Sequence, residues 1–533
     1  MALHYSTIFE AHADLIGGQT AIVQGSVRRS WADFDDRAAR FASALAAHGL
    51  TRGSRVGQLL YNSPELLETY HGSLKMRALP FNINYRYTAE EILYILNDAQ
   101  AEALVFHSSL APIVAHVLPR ARSLKIAIVV GDAESEIEGA VAMESLLAAH
   151  QPGPRIARSP DDPTMIYTGG TTGMPKGVLA PIRPHLESVL QATPPMMNVA
   201  PLSDPADLAP LAARLHKEGR ALISLPLSPM VHGAALNISA LPALIMGGTV
   251  VLARQRHFDP SEAWDLVERE HVTSLLIVGD AFARPLLAEL QQGKRRDLSS
   301  LHAILSAGAL FSSEVKNSLL SYLPVDGAVI DFISATEAAM GTSIATRGRP
   351  AETGVFHPNP GVIVVDDNNR PIAAGSGEAG RVAVPSSARG YLHDDAKTAS
   401  TFPDIDGQRY AIPGDYALVE ADGSLRLLGR GSSCINTGGL KVFPDEVEEA
   451  LKAHPAVRDV VVVGLPDDRF GQRVTALLSL WEASPVTIEE ILAAARKTLA
   501  GYKIPKFVRI VDAVPRNNIG KHDYAAARKL LEQ

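Results

Sequence analysis

Residues 165–177 read MIYTGGTTGMPKG, an apolar run that ends in a loop of glycines, threonines and one lysine. Gly169, Gly170 and Gly173 let the backbone close tightly around an anion, with its N–H groups turned inward. Thr168, Thr171 and Thr172 add hydroxyl donors, and Lys176 adds a positive charge. Together these are the parts of a triphosphate cradle. The loop is not a Walker A motif, because Lys176 is followed by Gly177 where that motif needs Ser or Thr.

Outward from this loop, short apolar runs alternate with amphipathic stretches. SRVGQLL (54–60), EALVFH (102–107), KIAIVVG (125–131), PTMIYTG (163–169), GTVVLA (248–253), SLLIVG (274–279) and HAILSAG (302–308) read as strands. DFDDRAARFASALAAHG (33–49) and SEAWDLVEREH (261–271) read as helices. The alternation predicts an α/β fold of layered sheets and helices with parallel pairing. Residues 190–215, rich in Pro, Met, Ala and Asp, read as a loop-plus-helix insertion on the surface. Beyond residue 430 the style changes. FPDEVEEALKAH and TIEEILAAARKTLA are helical, and RDVVVVGLP and RVTALLSLW are strand-like. The glycine-rich stretch GRGSSCINTGG (429–439) joins the two parts. The expected division is a large domain, 1–430, and a small α+β domain, 431–533, on a hinge.

The 533 residues exceed one compact core. Net charge is −8 with no basic run, which argues against a nucleic-acid partner. A lone cysteine, Cys434, excludes an intrachain disulfide and points to the cytoplasm. The N-terminus lacks the pattern of a secretory signal. Residues 233–253, GAALNISALPALIMGGTVVLA, approach bilayer-spanning length. Asn237, Ser239, Pro242 and the Gly247-Gly248 pair break the run, which reads as a buried helix, a turn and a buried strand rather than a transmembrane segment.

The loop at 168–177 resembles the signature loop of the adenylate-forming superfamily, which contains acyl-CoA synthetases, luciferases and peptide-synthetase adenylation domains. Further motifs follow in the family's order. SPMVHGAA (228–235) resembles the segment whose histidine gates the carboxylate site, which implies that role for His232. SAGAL (306–310) is similar to the adenine-stacking segment, with Ala307, Gly308 and Ala309 as contacts. DFISATEAA (331–339) resembles the aromatic-Gly-x-Thr-Glu motif. It puts Asp331, Phe332 and Ile333 beside the nucleotide, Thr336 on a phosphate oxygen, and Glu337, with Thr172, on Mg²⁺. Ser334 stands where the family usually has glycine, and Ile333 where an aromatic is common. GSGEAG (375–380) matches a dinucleotide fingerprint by letter but precedes a strand and opens no helix, so that reading is rejected.

IPGDYA (412–417) resembles the ribose-gripping segment, with Asp415 as an acceptor-only group for the two hydroxyls. Arg430 supplies a fork of donors for ribose and phosphate, and Ser432 falls at the family's hinge position. INTGGLKVFP (435–444) resembles the loop that lines the thiol tunnel, which implicates Gly438, Gly439 and Lys441; Leu440 replaces a common Glu. PRNNIGKHDY (515–524) resembles the C-terminal motif with the adenylation lysine, here Lys521.

The resemblance implies an ATP-dependent acid–CoA ligase that uses ATP, Mg²⁺ and coenzyme A. YNSPEL, KMRALPFNINYRY and VGDAFARP are most similar to bacterial fatty-acyl and steroid side-chain acyl-CoA synthetases. Ala234, Ala235, Leu236, Gly279, Asp280, Ala281, Ala307 and Ser334, with His232, are the implied pocket residues. Mostly small walls suit a bulky apolar acid. Three alternatives stay open: an acyl-AMP ligase that loads a separate carrier protein, an aryl-acid–CoA ligase, and a nucleotide-binding sensor without turnover. The oligomeric state, a homodimer included, is also open.

Overall fold

The computed structural model describes residues 3–131, 138–168, 174–308, 311–430, 435–438, 440–442, 444–452, 454–481, 486–515 and 524–532. Helix starts follow local chemistry. Ser30 and Asp33 form a capping box at Trp31–Ala47, Thr88 and Glu91 form another at Ala89–Asp98, and Asp259 caps Pro260–Glu270.

The strands Thr20–Gln24, Thr249–Leu252, Ile223–Pro226, Ser274–Ile277, Ala303–Ala307 and Ala328–Ser334 lie side by side and parallel. The central ones are continuous apolar runs because both faces are covered. Past Ala328–Ser334 the same sheet turns antiparallel through Ala339–Thr346, Val355–Pro358, Leu425–Arg430, Asp415–Val419 and Ala379–Pro385. A second parallel sheet holds Leu79–Asn82, Arg55–Leu59, Ala103–His107, Ile126–Val130 and Ala140–Ala142. Past residue 434, the long hairpin Val457–Asp467 and Gly471–Leu480 anchors a sheet with its own core, packed by the helices Pro444–Lys452 and Ile488–Ala495.

Two expectations change. The run 163–169 joins no parallel sheet; Pro163–Thr168 forms an antiparallel hairpin with Lys176–Pro181. Residues 190–215 are not a surface insertion. Leu208, Leu211 and Leu215 of the helix Leu208–Lys217 enter the main core, and Ala212 abuts the turn at Gly247 (φ +70°) so closely that a Cβ there would lie 2.4 Å away. Among the described residues, no helix is long and apolar enough to cross a membrane. Residues 235–245 form buried helical turns and Thr249–Leu252 a buried strand, as the sequence reading expects.

His12 fastens the N-terminal helix Tyr5–Ile16 to this centre. Its ring lies 4.9 Å from that of Trp31, and Nε2 is 2.8 Å from the carbonyl oxygen of Ile245, which can only accept, so Nε2 carries the proton. Burial pushes the ring's pKa down to about 4. The unfolded chain, with an ordinary histidine value of about 6.5, therefore takes up a proton first as pH falls. The stabilisation is complete above about pH 6.5 and is lost as pH drops toward 4. Urea denaturation followed by tryptophan fluorescence should show a loss of about 2 kcal/mol from His12 alone between pH 7 and pH 5. His12→Gln should remove that share of the fall; a midpoint independent of pH over this range would contradict a buried neutral ring.

Candidate active site

The parallel strands of the large sheet end at one edge, where open α/β sheets place their ligands. The loops leaving those ends surround a cavity of about 1200 Å³. After Ile223–Pro226 comes the segment with His232. Asn62 holds this loop from outside, donating to the carbonyl of Ser228 (2.9 Å) and accepting from the amide of Met230 (2.7 Å). Asn82 adds a donor to the carbonyl of Met230 at 3.0 Å. His232 and Ala234 line the cavity.

Ala303–Ala307 delivers Ala307 and Gly308 to the wall, with Gly308 at φ +89°, a conformation that suits glycine. The neighbouring strand Ala328–Ser334 shifts register between Ile333 and Ser334. A tight turn follows, closed by hydrogen bonds between the backbones of Ala335 and Ala338 (2.9 and 3.3 Å). Thr336 and Glu337 occupy its tip and line the cavity, as do Phe332, Ile333 and Ser334. A bulge beside a turn re-aims side chains in this way. Asp331 does not line the cavity. Its carboxylate is buried against Lys316 at 2.9 Å, and burial pushes its pKa up against the pull of that lysine.

Tyr391 donates to Glu337 Oε1 at 2.5 Å, which fixes the carboxylate. The strand Gly390–Tyr391 reaches this place by pairing with Lys176–Pro181. In the same hairpin, Thr168 and Lys176 are the last paired residues before the loop, and both line the cavity. Lys176 is ion-paired with Asp394, which also caps the helix Asp395–Thr401. The Lys176 ammonium holds the Asp394 carboxyl below the usual carboxylate range. Among the described residues, no cluster of three or more His, Cys, Asp or Glu could hold a metal. One carboxylate beside a hydroxyl nevertheless suits Mg²⁺, a hard cation that keeps several ligands as water and phosphate oxygen.

Asp415 and Arg430 are cross-strand partners, the first and last residues of adjacent antiparallel strands. Asp415 is buried; Pro413, just before it, lines the cavity. Across from these, Gly438 (φ +59°) and Leu440 also line it, and the Gly438 amide donates to the carbonyl of Phe470 at 2.9 Å. Gly169, Gly170, Thr171, Thr172, Ala309, Ser432, Gly439 and Lys521 lie outside the described residues, and the side chains of Arg430 and Lys441 likewise.

The acyl-pocket candidates divide by helix face. Ala234 faces the cavity, while Ala235 and Leu236 turn into the core; Asn237 and Ile238 take the wall instead. In the helix Gly279–Gln292, Phe282 lines the cavity, joined by Val278 just before it. Gly279, Asp280 and Ala281 do not line it. Asp280 accepts from Arg284 (3.0 Å) and from the amide of Ser312 (2.9 Å). Tyr5 and His185, unforeseen in the sequence, also reach the wall. His185 Nε2 donates to the carbonyl of Asn237 (2.8 Å), so Nδ1 accepts from the Tyr5 hydroxyl (2.6 Å).

The family model described as AMP-binding enzyme matches residues 9–392, and that of the AMP-binding enzyme C-terminal domain matches 446–521. A 3-oxocholest-4-en-26-oate–CoA ligase of Rhodococcus rhodochrous is 38% identical, covering 99% of this chain and 96% of its own. A medium-chain acyl-CoA ligase of Mycobacterium avium is 39% identical, covering 98% and 97%. Among solved structures, o-succinylbenzoate CoA synthetase of Bacillus subtilis has a TM-score of 0.78 at 22% identity, covering 98% of each chain. That likeness speaks for the fold.

Tyr391→Phe removes the hydrogen bond to Glu337 and keeps the ring that packs 5.9 Å from Phe402. Bonds to charged groups contribute about 1.5–3 kcal/mol, so acid-dependent pyrophosphate release should slow about 10- to 100-fold. An unchanged rate would remove Tyr391 from the site.

Proposed function

The chain belongs to the AMP-binding enzyme family and is an AMP-forming acid–CoA ligase, and we propose that its acid is bulky and hydrophobic: medium- or long-chain, branched or polycyclic. The observation that carries this reading is the wall beyond His232. Ile238, Phe282, Val189 and Met196 give it an apolar surface, inside a cavity of about 1200 Å³. Relatives matched over nearly their full length and named for 3-oxocholest-4-en-26-oate, medium/long-chain fatty acids and medium-chain acyl groups support it. The substrates ATP and CoA, with one cysteine in the chain, suit a cytoplasmic enzyme.

In the reaction so assigned, a carboxylate oxygen attacks the α-phosphorus of ATP. The bond from that phosphorus to the bridging oxygen breaks, pyrophosphate leaves, and acyl-AMP remains. A thiolate sulfur of CoA then attacks the acyl carbon, and AMP departs with the former carboxylate oxygen. The enzyme's work is positioning and charge stabilisation. Thr168, Lys176 and the loop between them would hold the β- and γ-phosphates. Ala307, Gly308 and Phe332 would flank the base, and Asp415 with Arg430 the ribose. His232 would meet the carboxylate, and Thr336 a phosphate oxygen. Glu337, oriented by Tyr391, would carry Mg²⁺ together with Thr172, and that ion would neutralise phosphate charge.

The parts 1–430 and 431–533 would act as a fixed body and a mobile partner. For the first step the small part would bring Lys521 to carboxylate and phosphate. For the second it would turn about Ser432, and Gly438, Gly439 and Lys441 would admit the thiol arm.

Two measurements test this. A panel of carboxylic acids should give pyrophosphate release with fatty and steroid side-chain acids, and acyl-CoA only when CoA is present. A preference for benzoates or cinnamates would favour the aryl-acid alternative and overturn the assignment. Lys521→Ala should abolish acyl-AMP formation while supplied acyl-AMP still reacts with CoA; equal loss of both steps would contradict the division of labour.

A further inference from the structure

A lysine in the C-terminal part is buried in the large body. Lys503 ends the short turn Gly501–Lys503, and its side chain is 2% exposed. Its Nζ lies 2.9 Å from Glu91 Oε1, on a side chain that is also 2% exposed, and 4.6 Å from the centre of the Tyr87 ring. Glu91 is divided between two tasks. Its Oε2 accepts from the Thr88 amide (2.8 Å) and hydroxyl (3.0 Å), which starts the helix Ala89–Asp98, while Oε1 reaches Lys503. The contact continues around the pair. Thr88 Oγ1 lies 3.1 Å from the carbonyl oxygen of Thr498, and Ala500 joins a core cluster otherwise made of residues 59–167. Tyr502 packs against both that cluster and the small part's own core.

This seam adjoins the cavity. Arg86 and Tyr87 from one side, and Tyr502, Gly438 and Leu440 from the other, all line it. The arrangement therefore presents the 435–442 hairpin to the site. A buried ion pair adds little net stability, because desolvation offsets the attraction, but leaving one member unpaired in the same place is costly. Such a pair acts as a register. Lys503 can be buried there only when Glu91 faces it, and both charges return to water when the parts separate. Resting on the two-orientation reading above, we propose that Lys503 and Glu91 are positioning residues for the thioester-forming step, locking the small part with its 435–442 hairpin at the cavity.

The test uses full-length Glu91→Gln and Lys503→Met. Glutamine keeps the helix cap, since it too accepts from Thr88, and removes only the charge; Lys503→Met leaves that helix untouched. Each variant is assayed for acid-dependent pyrophosphate release in a single turnover without CoA, and separately for acyl-CoA formation from supplied acyl-AMP. The second step should fall about 10- to 100-fold, on the scale of one broken buried pair, with the first within about threefold of the parent. Lys503→Arg, which keeps the charge, should recover part of the second step. Equal losses in both steps would mark a merely structural pair and overturn the proposal, as would an unaffected second step. A parent enzyme that releases no pyrophosphate would refute the ligase reading itself, whereas an active parent with unaffected variants would refute only the lock.

Discussion

A carboxylate and a triphosphate repel each other, and the chemistry cannot begin until that repulsion is overcome. At 4 Å, two unit charges near a protein surface oppose one another by about 4 kcal/mol, and a triphosphate multiplies the effect. On the proposed reading, the cavity answers with positioned donors. Lys176 and Thr168 come from one hairpin and Thr336 from a turn beside a bulge, and all three line the cavity. Held by the hairpin and the turn, such donors would need little reorganisation when charge develops. Glu337, its carboxylate held by Tyr391, would then suit a cation bound mainly by phosphate.

On the proposed division of labour, the same constraint would explain why the ligase uses two parts. A lysine that neutralises the first step would occupy the approach of the thiol in the second. The described arrangement has Gly438 and Leu440 at the cavity and Lys503 buried against Glu91. On that reading, the packing of the seam and the loop at the cavity would both belong to one of the two orientations. If the parts exchange orientation as proposed, the contacts at Thr88, Glu91, Ala500 and Tyr502 would be made and broken together.

Much of the body was legible in the sequence because its strands are apolar on both faces and its helices carry capping signals. SLLIVG and HAILSAG became neighbouring parallel strands, and the segment 233–253 became buried turns and a strand. Local motifs also marked Thr336, Glu337, His232 and Gly308. What escaped was made by tertiary pairing. Tyr391 and Asp394 meet Glu337 and Lys176 only because a two-residue strand lies against the hairpin. The pocket wall passed from Ala235 and Leu236 to Asn237 and Ile238 because a π-helical turn sets the facing residues, which side-chain size does not reveal. The helix Leu208–Lys217 joined the core because its leucines share one face, a periodicity masked by the Pro-rich stretch before it. Lys503 reads as an ordinary solvated lysine until Glu91 is seen beside it.

Isotope transfer tests the central claim most directly. The enzyme would turn over an acid labelled with ¹⁸O in both carboxylate oxygens, together with ATP and CoA, and the products would be weighed by mass spectrometry. If the carboxylate attacks the α-phosphorus and the thiol later releases that oxygen, AMP carries one labelled atom and pyrophosphate none. Label in inorganic phosphate, or AMP without label, would contradict the account.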